Sequence, residues 1–472
     1  MIRVCAKPGY GRFLYGLLSL LFILCVNCGG DSAPSSSTTR PVLVLGDIHF
    51  NPFYDPDLFP ELMASPPELW PHIFEGSVIT EPQSWGKETN YPLLVKLLDA
   101  VQSRVSSSPV VLFQGDILAH KFRETFFGLY GEQDEAALRA FVHKTVAFFV
   151  DQLRGALPED TPVMFVLGNN DSYAGDYRLI PGGDFLMETA ELFYTEFLLR
   201  QVDCDTFKET YCEAGYYKAQ PLSSKVVFIC LNTLLFSVNW SGEGTDAPEQ
   251  HLAWLRDTLA DAQASGKKVW LVMHVPPGAD VYGTVATYMD ETGHISDAAM
   301  MWKPDYQERF MEMMGEYTDI IQAGFAGHTH MDEYRLVSDS GGQSPNPVLI
   351  TPGISPLFGN NPAFKIFDMG ESNWELRDYR SMVYPFDGGI REFSPYYLFS
   401  SAYQMEGPLT ASLSLLWPRL STDTADRQNY THFYYSGHDA GNPVNDINWP
   451  AYWCAVGNMD KEDYMACVNS YR

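Results

Sequence analysis

The sequence predicts an α/β fold of packed sheets, and two observations predict it. Short β-branched or apolar runs recur at residues 42–45, 110–113, 163–167, 226–231, 269–273 and 348–350, with 320–326 less regular, and most are bounded by Gly, Pro, Asn or Asp as strands are. Between several of them lie stretches of helical spacing at 93–105, 135–157 and 248–264, the last placing Leu252, Leu255 and Leu259 on one face. Strands that alternate with helices imply sheets covered by helices.

Residues 1–28 carry Arg3, Lys7 and Arg12, no acid, and an apolar run at 13–26, which is the pattern of a signal peptide. That run is shorter than the ~20 residues a spanning helix needs, so a membrane helix is the weaker alternative. Residues 29–40 are a Ser/Thr-rich tether with nothing to pack. Cys28 is a candidate for a lipid anchor, simple cleavage being the alternative, and a lipid there is the one membrane contact expected. The first strand opens a domain expected over 41–384. From about 385 the chain turns to Tyr, Trp, Asn and Asp, with helical hints near 394–404 and 460–469, and 385–472 is expected to be a small helical extension.

An exported destination, whether periplasm, cell surface or a secretory or lysosomal compartment, favours disulfides among the five cysteines beyond the leader. Cys204 with Cys212 and Cys454 with Cys467 are expected to pair locally, and Cys230, ending an apolar run, to be a buried thiol. The net charge of −28 repels polyanions, which argues against nucleic acid as a partner. A small phosphorylated substrate held by local metal charge is compatible with it. A monomer is the default expectation.

Polar motifs follow the strand runs. Asp47-Ile48-His49 comes first, and an alternating strand end would turn both side chains to one side. Gly115-Asp116 and Gly168-Asn169 add oxygen donors, His274 stands alone after a strand, and Gly327-His328-Thr329-His330 adds two imidazoles, a donor set that suits Zn, Mn or Fe better than Mg or Ca. Singly these are ordinary turns, and their ordered conjunction carries the weight. The other histidines, His72, His143, His251, His294, His432 and His438, lie outside such spacing and read as structural or exposed.

The ordered set resembles the calcineurin-like metallophosphoesterase superfamily over about 41–367, and Gly115-Asp116-x-x-x-His120, His274-Val275-Pro276-Pro277-Gly278 and Asp47-Ile48-His49-Phe50-Asn51-Pro52-x-Tyr54 look like its acid sphingomyelinase-like phosphodiesterase branch. The resemblance implies a four-layer fold, a β-sandwich flanked by helices, carrying two divalent metal ions, with Zn foremost and Mn or Fe as alternatives. It implies Asp47, His49 and His330 on the first metal, Asn169, His274 and His328 on the second, and Asp116 between them. The metals would turn a bridging water into the attacking hydroxide. His120 would protonate the leaving group, a task imidazole suits near neutral pH.

The superfamily usually reads Gly-Asn-His-Asp or Gly-Asn-His-Glu, whereas this chain reads Gly168-Asn169-Asn170-Asp171. Asn170 can donate a hydrogen bond to a phosphoryl oxygen but cannot shuttle a proton. Either His120 acts alone as the acid, or the leaving group is already acidic, as in a phosphoanhydride. The expected function is thus an exported phosphodiesterase of nucleotides, phospholipid headgroups or similar small esters, with two alternatives: a polyphosphate or nucleotide phosphoanhydride hydrolase, and a catalytically silent binding protein on the same fold. No Cys-rich saposin module precedes the first strand.

Overall fold

The computed structural model describes residues 39–104, 108–242, 244–338, 345–439 and 444–471. The expected leader, most of the tether and Cys28 lie outside the described residues. The strands run β1 (Thr39–Leu45), β2 (Val111–Phe113), β3 (Val163–Phe165), β4 (Tyr217–Ala219), β5 (Val226–Cys230), β6 (Lys268–Val272), β7 (Ile321–Ala326), β8 (Glu333–Val337), β9 (Asn346–Ile350), β10 (Ala363–Gly370), β11 (Leu376–Val383) and β12 (Ser394–Leu398).

They form two six-stranded mixed sheets, in the orders β12-β11-β10-β1-β2-β3 and β4-β5-β6-β7-β9-β8. β1, β2 and β3 are mutually parallel in the first, as are β5, β6, β7 and β9 in the second. Aromatic side chains meet between the sheets: Phe325 of β7 lies 5.3 Å from Phe367 of β10, and Phe165 of β3 lies 5.1 Å from Tyr217 of β4. Such strands are buried on both faces and therefore read as continuous apolar runs, as β5 (VVFIC) does.

Helices flank the sheets close to the expected bounds. Tyr91–Arg104, Glu135–Gly155 and Ala247–Ala264 answer three helical patterns. The second is opened by Asp134, whose carboxylate accepts from the N–H groups of Ala136 and Ala137.

Two local expectations are corrected. Residues 394–398 are strand β12, not helix, because pairing with β11 overrides a weak helical pattern, and only Phe399–Tyr403 is helical there. Cys204 and Cys212 are free and sit on one helix, Cys204–Ala214. Eight residues at 1.5 Å rise separate them by about 12 Å, beyond disulfide reach. Cys454 and Cys467 are bonded, joining the helices Trp449–Gly457 and Lys461–Ser470, and Cys230 is buried.

His251 is a buried side chain with a consequence for acid stability. Its ring stacks on Tyr216 at 4.1 Å and on Phe236 at 5.0 Å, and neither ring nitrogen has a hydrogen-bond partner. Burial pushes it down to about 3 from the usual 6.5. Between those values the unfolded chain holds one more proton than the folded one, so stability rises with pH up to about 6.5 and is lost below it. We expect this site to cost about 2 kcal/mol at pH 5 relative to pH 7.5, at 1.36 kcal/mol per pH unit below 6.5. Urea unfolding of wild type and His251→Phe at both pH values checks it. The loss between the two pH values should be about 2 kcal/mol smaller in the variant, and an equal loss in both would refute the assignment.

Candidate metal centre

The seven expected ligands and His120 come from loops at the C-terminal ends of parallel strands: Asp47 and His49 after β1, Asp116 and His120 after β2, Asn169 after β3, His274 after β6, and His328 and His330 after β7. Backbone bonds tie these loops together within each sheet and, through Ser355 and Asp47, between the sheets. Gly115 C=O accepts from Asp47 N–H at 2.9 Å, Ser355 N–H donates to Asp47 C=O at 3.0 Å, and Gly327 N–H to His274 C=O at 3.1 Å. Gln114 Nε2 spans the sheets to Ala326 C=O at 2.6 Å.

Asp47, His49, Asp116, His328 and His330 all have positive φ, between 43° and 74°. The alternating strand end expected to aim Asp47 and His49 is therefore corrected: left-handed turns present them, a conformation Asp and His tolerate better than bulkier residues but which still costs about 1 kcal/mol or more each. Glycine makes the turns possible. Gly115 has φ +90°, and a Cβ on Gly168 would lie 2.0 Å from Asp116 Oδ1, so the Gly-Asn motif is small because the Gly-Asp motif packs onto it.

Hydrogen-bond directions identify what the site is built to hold. His49 Nδ1 faces Leu118 C=O at 3.0 Å and His330 Nδ1 faces Ser355 C=O at 3.2 Å. A carbonyl only accepts, so both protons are on Nδ1 and both Nε2 atoms are lone pairs, yet these Nε2 atoms face each other at 3.0 Å. Burial holds both rings well below the usual histidine range, His330 at about 3, so no imidazolium proton joins them. Asp47 Oδ1 lies 3.6 Å from the same His330 Nε2.

The other half repeats the pattern. His274 Nδ1 faces Gln114 C=O at 2.7 Å, which leaves Nε2 pointing at two acceptors, Asn169 Oδ1 at 2.9 Å and Asp116 Oδ2 at 3.3 Å. Asn169 cannot flip, because its Nδ2 donates to Asp176 Oδ1 at 2.7 Å. His328 Nδ1 meets Asn169 Oδ1 at 2.9 Å, while its Nε2 meets Tyr177 OH at 3.0 Å. Asp116 Oδ2 stands between the halves, 3.3 Å from both His49 Nε2 and His274 Nε2.

Acceptors that converge with no donor between them, as the Nε2 atoms of His49 and His330 do, fit a cation. Burial opposes charge on His274, but Asp116 and Asp47 beside it raise it to about 9. Asp47 is pushed up to about 7, chiefly by burial with Asp116 adding to it. Burial also opposes charge on Asp116, but His274 and His49 hold it well below the usual carboxylate range.

The remaining motif residues serve these. Asp171 is a backbone clamp, accepting from the N–H groups of Asp116 and Gly168 through Oδ2 and of Ile117 and Leu118 through Oδ1. Asn170 donates its backbone N–H to Asp116 Oδ1 and its Nδ2 to Oδ2, at 2.8 and 3.1 Å. His120 stacks on His49 at 4.2 Å, and Phe358, half exposed, lies edge-on to His330 and His120. Glu88, Asp176 and Tyr177 were missed in the sequence because they occupy irregular loops with no ligand spacing.

The calcineurin-like phosphoesterase family model matches residues 40–332. The chain is 23% identical to cyclic GMP-AMP phosphodiesterase SMPDL3A of Rattus norvegicus over 90% of this chain and 91% of that protein, and 23% identical to acid sphingomyelinase-like phosphodiesterase 3b of Homo sapiens over 96% and 94%. It is 25% identical to sphingomyelinase phosphodiesterase D of Dictyostelium discoideum over 81% of this chain and 80% of that one. With a family match across more than half its length and an Asp/His cluster built for cations, the chain belongs to the calcineurin-like phosphoesterases and is a metal-dependent phosphoester hydrolase.

Proposed function

We propose that the chain is an extracytoplasmic phosphodiesterase of small diesters, and the observation that carries the metal reading is the pair of Nε2 lone pairs of His49 and His330 facing each other at 3.0 Å. Asp47, His49 and His330 would hold one divalent cation, Asn169, His274 and His328 the other, with Asp116 shared. Four imidazoles among seven ligands favour Zn, with Mn or Fe as alternatives. Two such cations supply a water activated for attack and positive charge for the phosphoryl oxygens. His120, 28% exposed, reaches the mouth and is the proton donor to the leaving oxygen. Asn170 orients Asp116 and leaves His120 as the site's proton carrier.

Diesters are favoured because the relatives named above are named for cyclic GMP-AMP and sphingomyelin, both phosphodiesters. A second reading, phosphoanhydride cleavage, is supported by Asn170 in place of a second proton-carrying His and by a cavity of about 330 Å³ beside it and His120, whose lining carries Lys121, Arg123 and Arg178 against the two acids Glu124 and Asp176. The Cys454–Cys467 bond supports an oxidising compartment. No helix among the described residues is long and apolar enough to cross a membrane.

The test is to express the chain through an oxidising compartment, count bound metals and assay bis-p-nitrophenyl phosphate, ATP and polyphosphate. Metal near two per chain with diester turnover is expected. Preference for ATP or polyphosphate moves the assignment to anhydrides, and absence of both metal and turnover removes the catalytic reading in favour of a binding protein.

A further inference from the structure

We infer that Glu88 is the positioning residue for His120: its carboxylate selects the ring's tautomer and aim, so that Nε2 is the end presented to the leaving oxygen. The inference rests on the phosphoesterase reading above. Glu88 Oε1 accepts the backbone N–H of His120 at 2.6 Å and faces the ring's Nδ1 at 3.1 Å. Both oxygens of Glu88 already act as acceptors, Oε1 from a backbone N–H and Oε2 from a side-chain amide, so Nδ1 is the donor in the ring contact and Nε2 is left free for chemistry. Glu88 is itself held on every side. Oε2 accepts from Asn51 Nδ2 at 2.7 Å, and Asn51 cannot flip because its Oδ1 accepts from Phe53 N–H. The Glu88 N–H donates to Tyr54 OH at 2.7 Å.

Asn51 and Tyr54 belong to the same stretch as Asp47 and His49. One segment thus supplies two ligands of the candidate centre and the two side chains that secure Glu88 behind the acid, Asn51 at its carboxylate and Tyr54 at its backbone. The His49 ring covers one face of His120 in a stack tilted by 22°, so the imidazole keeps its plane while Glu88 decides which nitrogen faces outward. His49, Glu88 and His120 also offer donor atoms within 4.8 Å of one another, but Oε1 is already committed to two N–H groups, which makes the cluster an orienting device.

In the step this serves, a water oxygen bonds to phosphorus and the bond from phosphorus to the leaving oxygen breaks, its electron pair going to that oxygen. The leaving oxygen takes the Nε2 proton of His120. The water's surplus proton goes to solvent, from which His120 recovers its own, and Nδ1 keeps its hydrogen on Glu88 throughout. A leaving group that departs readily as an anion needs none of this help.

The experiment compares kcat and KM for aryl methyl phosphodiesters whose leaving groups run from 4-nitrophenol to phenol, using the full metal-loaded chain as wild type, Glu88→Ala, Glu88→Gln, His120→Ala and Glu88→Ala/His120→Ala. Loss of an orienting partner typically costs about 10- to 100-fold. We expect kcat on the phenol ester to fall by that factor in Glu88→Ala with KM within about 2-fold, the 4-nitrophenol ester to fall about 3-fold or less, and the double variant to match His120→Ala. Glu88→Gln keeps the shape if Glu88→Ala folds poorly, and the same leaving-group dependence is expected of it. Equal losses on both esters, or a further loss in the His120→Ala background, overturn the assignment of Glu88 alone. No turnover by wild type on any ester overturns the catalytic reading and this inference together.

Discussion

Asp116→Asn should reduce bound metal from about two per chain to one or fewer and lower diester hydrolysis by about 10³-fold or more. Asp116 Oδ2 lies 3.3 Å from an Nε2 of each half of the site, the one carboxylate oxygen that both halves share. The amide keeps the shape and one acceptor oxygen but loses the negative charge. Charge stabilisation by a metal pair is worth several kcal/mol at the transition state, which is three or more decades of rate. The amide's NH₂ would also oppose donors, because Asn170 presents both its backbone N–H and its Nδ2 to this carboxylate. Elemental analysis and kcat/KM measured side by side check the prediction. Full metal content with wild-type rate would show that Asp116 is not shared between two cations.

The second large effect is on stability. Lys365→Met should destabilise the fold by about 3–5 kcal/mol, the usual cost of removing one partner of a buried ion pair. Lys365 on β10 meets Asp332 at 2.6 Å, with the two side chains only 1% and 4% exposed. Without the ammonium, the Asp332 carboxylate keeps, among the described residues, only the hydroxyl of Tyr397, at 2.8 Å, against a buried charge. Adding Asp332→Leu to Lys365→Met removes the orphaned carboxylate and should recover most of the loss, since two apolar residues need no compensation. Urea unfolding of the single and double variants decides it, and a single variant within 1 kcal/mol of wild type would refute the account. Because Asp332 follows His330 by two residues, a loosened Asp332 should also weaken metal retention in the single variant.

Much of this was legible because the fold's buried parallel strands announce themselves. Uninterrupted apolar runs marked β5 and β6, whose side chains are covered on both faces, while the Gln and Gly within β7 (IQAGFA) left it a less regular candidate. Strands at or near sheet edges were harder to read: β4 (YKA), β11 (LRDYRSMV) and β12 (SPYYL) mix polar and aromatic residues, since their pairing is set by neighbours distant in the chain. The Cys204–Cys212 pairing failed for a related reason. Proximity in sequence is not proximity in space once eight residues are wound into a helix.

The sequence by itself determined the residue types of the centre and their order, because cations demand particular donor atoms and the turns that carry them demand glycine at Gly115 and Gly168. Those requirements are local, so they are written in short motifs. What only the tertiary structure decided is which lone pairs face one another. His49 and His330, 281 positions apart, meet because two sheets bring their strand ends to one edge, and Glu88 reaches His120 because a loop with no motif of its own folds back over the first strand's turn. Such contacts depend on strand order and on left-handed backbone turns at five ligands. Those turns persist against their cost because the surrounding packing admits no other arrangement.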